Sequence, residues 1–306
     1  MTEQSAPRTD GWPRLRVADW VRTRDTLHMW TQIIGKIRLA HAPLVNHWWQ
    51  VALYVTPRGL TTSAVPYRHG AFDIEFDFID HVLRIRSSEG GTRTVALEPK
   101  SVADFYVQTM EALNALGIEA SIQARPNEVD PSIPFAEDHQ HAAYDPHAVH
   151  LFWRQLLQAD RVFGEFRSHF VGKSSPVHFF WGAFDVAATR FSGRPAPPRE
   201  GPAFMREAYS HEVISHGFWP GSPPLLEPTF YGYAVPEPPG LKEARVEPAA
   251  AYYHKEMGEF VLPYEAVRRA ADPDAAIRSF VNSTYEQAAA LGHWDRPALE
   301  RQLTSP

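Results

Sequence analysis

Two neighbouring segments, AFDIEFDFI at 71–79 and HVLRIRS at 81–87, decide the fold class. Apolar and charged residues alternate in both segments: Phe72, Ile74, Phe76 and Phe78 with Asp73, Glu75 and Asp77, then Leu83 and Ile85 with Arg84 and Arg86. A period of two is typical of a strand with one buried face. The pattern predicts an antiparallel hairpin that turns at Asp80-His81, with Asp77 opposite Arg84 and Glu75 opposite Arg86. We interpret the acidic row as a charge-paired sheet face and not as a metal site.

Further strands and helices flank this hairpin on both sides. Before it, we expect a helix over 24–41 and strands at 47–56 and 60–65. After it, we expect a strand at 92–98, a helix over 100–116 that Ser101 caps and Gly117 follows, and a strand at 118–124. The rest is predicted as a helix over 146–170, a buried strand at 177–189, strands at 211–218, 228–235 and 257–262, and two closing helices that begin at Asp272 and near Asp295.

The two halves of the chain resemble each other weakly and in the same order. IGKIR at 34–38 matches FGEFR at 163–167, and HWWQVALYV at 47–55 matches HFFWGAFDV at 178–186. The sequence thus predicts an α+β fold of two pseudo-repeated halves, each a helix, an antiparallel sheet and a helix, packed together. The predicted organisation is a flexible N-terminal tail at 1–20, a first half at 21–125, a linker at 126–146 and a second half at 147–306. The alternative is one mixed fold whose two similar segments match by chance.

Composition excludes several classes of function. The chain has 306 residues, a net charge of −6 and no cysteine. The negative charge argues against a nucleic-acid-binding protein, and the missing thiols exclude disulfides, thiolate metal sites and cysteine nucleophiles. No segment approaches the roughly 20 apolar residues of a membrane helix, and the first ten residues lack an apolar signal core. We therefore expect a cytoplasmic protein, a monomer or homodimer, with neither nucleic acid nor membrane as partner.

Four long segments resemble the bacterial family catalogued as domain of unknown function 5996. They are HWWQVALYVTPRGLTTSAVP at 47–66, SPVHFFWGAFDVAATRFSGRPAP at 175–197, YSHEVISHGFWPG at 209–221 and GEFVLPYEAVR at 258–268. The resemblance covers roughly residues 20–300. It brings no assigned activity and no catalytic residues, so the functional question stays with the chemistry of the side chains.

The strongest candidate for chemistry is a charged group placed in an apolar strand. Asp185 interrupts a nearly continuous apolar run, where an unpaired carboxylate would be strongly disfavoured. It therefore needs cations or donors nearby. We predict a catalytic or binding cluster of His178, Asp185, Arg190, His211 and Glu212 where the halves meet.

Further polar and aromatic residues are candidate ligand contacts. Gln50 and Tyr54 are polar residues in an apolar segment, while Arg58 and Ser192 lie in the Arg- and hydroxyl-containing loops that follow the two similar segments. Glu212 and His216 would share one face of a strand and could form an acid/base pair or a structural pair. The predicted ligand-binding set is Gln50, Tyr54, Arg58, Trp181, Ser192, His216 and Trp219.

A group of histidines offers a weaker alternative. His139, His141, His147 and His150 lie close together in sequence, and the last two could share a metal at a helix start. We favour the interpretation that they are solvated linker residues that titrate near neutral pH. No cofactor is implied by the sequence.

Three functions remain open at this point. The first is a protein that binds, or also transforms, a small polar or anionic molecule in a cleft between the halves lined by aromatic, His and Arg side chains. The second is a non-catalytic protein-interaction module whose aromatic residues form a core or an interface. The third is a metal-dependent hydrolase centred on histidines. Whether the protein is an enzyme is not decided by the sequence.

Overall fold

The computed structural model describes residues 11–301, which form two antiparallel sheets with flanking helices. The α+β class is therefore confirmed. The chain divides into two compact units. The N-terminal unit comprises Ala18–Trp153 and His178–Asp185, and the C-terminal unit comprises the residues up to Val17, Arg154–Val177 and the chain from Val186 onward. Each unit is described by itself below.

The N-terminal unit is built on one sheet. Its strands are β1 Tyr54–Thr56, β2 Gly59–Thr61, β3 Val65–Tyr67, β4 Gly70–Asp77, β5 Val82–Ser87 and β6 Thr92–Ala96. They pair antiparallel in the order β1-β2-β4-β5-β6, with β3 also on β4. The helices are α1 Val17–His41, α2 Val102–Asn114 and the beginning of α3 Pro146–Ser168. Short 3-10 helices lie at Asn46–Val51 and Phe135–Glu137.

The predicted hairpin is confirmed, with a register that differs from the expected one. β4 and β5 pair antiparallel, and Glu75 lies opposite Arg84 while Asp73 lies opposite Arg86. The expected partners were thus displaced by two residues, which leaves every side chain on its predicted face. The connection is longer than predicted because Asp77 Oδ1 accepts the backbone amides of Ile79 and Asp80, both at 3.0 Å, and closes a wider turn.

Stacked aromatic rings form the core of this unit. Trp30 of α1 stacks on Phe105 of α2 with ring centroids 4.5 Å apart, and Phe76 of β4 stacks on the other side of Phe105 at 6.3 Å. All three side chains are fully buried. As predicted, Ser101 caps α2 by accepting the amide of Asp104. These contacts hold α1 against the sheet.

Three of the predicted strands are wrong. Two lie within this unit, and the third, at 177–189, extends beyond the part of it that ends at Asp185. Residues 47–51 form a 3-10 helix, and only Tyr54–Thr56 of the expected strand at 47–56 is extended. The expected strand at 177–189 is broken by a turn at 181–184, which separates β7 His178–Phe180 from β8 Asp185–Pro195. Residues 118–124 form no strand. β7 instead joins the unit through two backbone hydrogen bonds between Phe179 and Leu53, at 2.8 and 2.9 Å.

The C-terminal unit contains the second sheet. Its strands β8, β9 His211–Trp219, β10 Thr229–Val235, β12 Glu259–Pro263 and β11 Tyr252–His254 pair antiparallel in that order. The sequence predicted β9, β10 and β12 and missed β11. The helices are α4 Ala203–Ala208, α5 Tyr264–Arg268, α6 Pro273–Leu291 and α7 Arg296–Leu299, with a 3-10 helix at Leu241–Glu243. Asp272 and Asp295 cap α6 and α7 as expected.

None of the helices formed by residues 11–301 has the length and apolar character needed to span a bilayer.

Candidate functional site

The N-terminal unit contains a buried arginine, Arg38, with one donor that lacks an acceptor within residues 11–301. Arg38 lies near the end of α1, and its Nε donates to the backbone oxygen of Gln50 at 2.7 Å. The guanidinium group lies 5.4 Å from the ring centroid of Tyr54. Within residues 11–301, neither Nη1 of Arg38 nor Nε2 of Gln50 has an acceptor, although both atoms are buried. Each of these two residues thus has one buried donor without a hydrogen bond.

The backbone that carries Gln50 is held in an uncommon conformation. His47 and Trp48 have φ values of 60° and 61°, in the left-handed region that bulky residues rarely adopt. Each such residue costs on the order of 1 kcal/mol or more, and conformations of this kind concentrate at functional sites. The bend places the Gln50 side chain inside the unit, where its Oε1 accepts the amide of Val45 at 3.0 Å.

His178 lies among aromatic rings next to this bend. Its imidazole is fully buried, and its ring centroid is 5.7 Å from that of Trp49, 5.5 Å from that of Tyr54 and 5.4 Å from that of Phe180. All three contacts are edge-on. Trp49 and Tyr54 are only half-buried, so this ring cluster reaches the protein surface.

Trp181 contacts both the bent segment 46–51 and helix α1. Its Nε1 donates to the backbone oxygen of Val51 at 2.7 Å, and its ring packs directly on Gly35 of α1. A Cβ atom at Gly35 would lie 2.2 Å from the indole ring. Gln50, Tyr54, His178 and Trp181, four of the predicted site residues, therefore lie in one region of the N-terminal unit, which we call the Arg38 cluster together with Arg38 and Trp49.

The charge of Arg38 has no opposite charge beside it. No carboxylate oxygen of residues 11–301 lies within 4 Å of its guanidinium group. Burial lowers the pKa of Arg38, and the nearby Tyr54 acts in the opposite direction. A buried cation without a counter-charge is electrostatically unfavourable, and an anion is the partner that would relieve it.

Arg58 and its partners are a separate, internally satisfied group. Arg58 lies 2.6 Å from Asp77 and 2.8 Å from Asp80. Burial by itself raises the pKa of Asp77, but the hydrogen bonds from Arg58 and from the amides of Asp80 and Ile79 outweigh it and lower the pKa to about 2. The charge of Arg58 is thus paired with carboxylates of the same hairpin.

Arg190 of the C-terminal unit lies in a cage of rings. Its guanidinium carbon is 3.4 Å from the ring centroid of Phe166, 4.3 Å from that of Tyr285 and 4.9 Å from that of Phe170. Nη2 donates to the backbone oxygen of Phe166. Burial lowers the pKa of Arg190 to about 10. The side chain is 3% exposed, so the cage encloses it almost completely.

The other predicted residues of this unit have separate surroundings. Glu212 accepts from Ser192 at 2.8 Å and from Arg194 at 2.7 Å. His216 is fully buried, and its Nε2 pairs with the Thr284 hydroxyl at 2.7 Å. Burial lowers its pKa to about 3. Four residues along a strand span about 13 Å, so Glu212 and His216 have distinct environments and form no acid/base pair.

The remaining predicted residues lie at the ends of strands. His211 begins β9, half-buried, with its Nδ1 3.1 Å from the Ser210 hydroxyl. Trp219 ends β9, opposite Thr229 of β10. Asp185 begins β8 and is buried.

The histidine alternative receives no support within residues 11–301. No three His, Asp or Glu side chains of that range are grouped closely enough to hold a metal ion. His141 is 2.7 Å from Asp138, and the ring of His150 contacts that of Trp153. His139 and His147 are exposed.

Comparison with protein families gives one match that spans nearly the whole chain. The model of the family described as "Family of unknown function (DUF5996)" matches residues 12–301. The chain belongs to this family. No curated protein and no solved structure matches this DUF5996 member. The resemblance predicted from the four sequence segments is thus confirmed.

The sequence analysis missed Arg38, the central residue of the Arg38 cluster. Its signal was present in α1, where polar residues interrupt an apolar helix. Thr31, Gln32, Lys36 and Arg38 are all buried among Ile33, Ile34 and Ile37. Buried polar residues in a helix interior need partners, so Arg38 and Lys36 become candidates once their burial is known.

Proposed function

We propose that this protein binds a small anionic molecule, a carboxylate or a phosphate, at the Arg38 cluster. The observation that carries the proposal is the pair of unmatched donors on Arg38 and Gln50, described above. Guanidinium and amide N–H groups are the donors with which proteins hold carboxylate and phosphate oxygens. An anion bound at the cluster would supply the missing acceptors.

The surroundings favour a small ligand with an apolar part. Trp49 and Tyr54 are half-buried, and Leu44 and Val45 just before the bend are exposed apolar residues, 75% and 43% accessible. An anionic head beside Arg38 would therefore have aromatic and aliphatic surface around the rest of the molecule. The strained backbone at His47 and Trp48 supports a functional role for this segment.

The proposal uses only some of the site residues that the sequence predicted. His178, Gln50, Tyr54 and Trp181 belong to the proposed site, while Arg190, Glu212 and His216 lie in the C-terminal unit and are not part of it. The internal duplication, the compartment and the oligomeric state stay predictions, and the proposal depends on none of them.

Anion binding is tested by heating the protein in chloride buffer with added phosphate or succinate at matched ionic strength. Ligand that binds only the folded state raises the melting temperature in proportion to its binding free energy. We expect one of the two anions to raise it by several degrees. Arg38→Lys keeps the charge but loses the planar donor pair, and we expect it to weaken binding by about tenfold or more.

The matched control is Arg93→Lys. Arg93 is exposed, and its Nη1 donates to the backbone oxygen of Thr92 at 2.9 Å. Both variants have the same net charge, so a difference between them reports on the site and not on the general field of the protein. Equal anion responses in the two variants, or no response in the native protein, would reject the proposal.

A further inference from the structure

A second unusual cation lies two residues before Arg38 on α1. Lys36 is 5% exposed, and its Nζ donates to Oδ1 of Asn127 at 2.7 Å and to Oε1 of Gln123 at 3.1 Å. Nζ also lies 5.4 Å from the ring centroid of Trp181. All three partners are uncharged. No carboxylate oxygen of residues 11–301 comes within 4 Å of this amine.

The segment that covers Lys36 is fastened to α1. Asn127 donates its amide to Oε1 of Gln32 at 2.7 Å, and Nε2 of Gln32 donates to the backbone oxygen of Asn127 at 2.8 Å. Gln123 is exposed and Asn127 half-buried, so the amine lies one side chain below the surface. A small molecule needs only to displace an amide side chain to reach it.

We infer that Lys36 is a nucleophilic amine that forms an imine with a small aldehyde or ketone. Within residues 11–301, no carboxylate balances the charge of the protonated Lys36 amine, and burial lowers its pKa to about 8. The neutral Nζ attacks the carbonyl carbon, and the nitrogen proton passes to the oxygen to give a carbinolamine. Loss of water then leaves the C=N bond. This chemistry is independent of anion binding at Arg38.

The chain provides a matched control lysine. The Lys100 side chain is 8% exposed and also donates to a glutamine, Oε1 of Gln108 at 2.7 Å, but Glu98 lies 3.5 Å from its Nζ. Lys36 and Lys100 thus differ chiefly in the nearby carboxylate. The other lysines of the chain are Lys173, Lys242 and Lys255, so every lysine can be followed separately.

The test is limiting glycolaldehyde with sodium cyanoborohydride, which reduces each imine to a stable amine, followed by peptide mass spectrometry. At pH 7.5 we expect Lys36 to be labelled at least about tenfold faster than Lys100, because a lowered pKa leaves more of the Lys36 amine neutral at that pH. Labelling of Lys36 no faster than that of Lys100, or only after unfolding in urea, would overturn the inference.

Asn127→Asp tests whether Lys36 reacts because its amine is neutral or only because the aldehyde can reach it. The aspartate keeps the oxygen that accepts from Nζ and adds a negative charge, which raises an amine pKa by about 1–3 units. We expect at least about a tenfold slower reaction of Lys36 at pH 7.5 and rates that converge with those of the native protein near pH 11. An unchanged rate at pH 7.5 would also overturn the inference. If the variant does not fold, Gln123→Glu makes the same test.

Discussion

The backbone oxygen of Gln50 accepts Nε of Arg38 at 2.7 Å, and this bond joins the end of α1 to the bent segment 46–51. This bond uses Nε of the guanidinium group, while Nη1 of Arg38 and Nε2 of Gln50 have no acceptor within residues 11–301. An arginine that served only to fix the bend would be expected to have all its donors satisfied, as most buried polar groups are. The unmatched donors of Arg38 and Gln50 are the observation on which the binding proposal rests.

Gly35→Ala should destabilise the protein although alanine is the better helix former. The added Cβ would lie 2.2 Å from the Trp181 ring, so the indole or α1 must move, at a cost of about 1–3 kcal/mol. Gly164 of α3 is the matched control, because nothing lies within 4 Å of a Cβ built there. Gly164→Ala should stabilise by up to about 1 kcal/mol. Urea denaturation measures both, and effects of the same sign would contradict the packing described for Trp181.

Arg190→Ala should lower the free energy of unfolding by about 2–4 kcal/mol, because it empties the ring cage and removes the hydrogen bond from Nη2 to the Phe166 oxygen. Arg93→Ala, at an exposed position, should change it by less than about 0.5 kcal/mol. Denaturation of both variants in the same buffer makes the comparison. An Arg190→Ala protein as stable as the native one would show that the cage contributes nothing to folding and would return Arg190 to the candidate binding residues.

Asp77 should make the hairpin acid-sensitive. Its folded pKa of about 2 lies below the unfolded value near 3.9, so its contribution is fully present above about pH 4 and is lost as the pH falls towards 2. Asp77→Asn should therefore be less stable than the native protein at pH 7, and the difference should shrink between pH 4 and pH 2. Denaturation at several pH values measures this. A difference that stays constant over that range would mean that Asp77 is not held ionised by Arg58 and the turn amides.

The hairpin and the bend show what sequence patterns can and cannot predict. Alternation at 72–86 fixes which face each residue occupies, and that prediction was right even though the register moved by two. The turn depends on the Asp77 side chain, which alternation does not describe. At 47–56 the Trp, Val and Tyr residues have high strand propensity, but His47 and Trp48 adopt left-handed backbone angles that tertiary contacts impose.

Only part of the candidate site could be predicted, because the burial of Arg38 depends on tertiary structure. Gln50, Tyr54, His178 and Trp181 attracted attention as polar or aromatic residues in two similar segments, and Leu53 and Phe179 bring those segments together. Arg38 lies in a helix, where one cation among apolar residues looks like an ordinary exposed position. Its burial follows from the bend, which the sequence pattern did not reveal.

The most direct measurement for the central claim is the melting temperature of Gln50→Glu, with and without the bound anion. Glutamate keeps the oxygen that accepts the Val45 amide and replaces the unmatched Nε2 with a carboxylate oxygen. We predict a melting temperature in chloride buffer equal to or above that of the native protein, and loss of the rise that phosphate or succinate produces. A lower melting temperature together with a full anion response would contradict the placement of the ligand at Arg38 and Gln50.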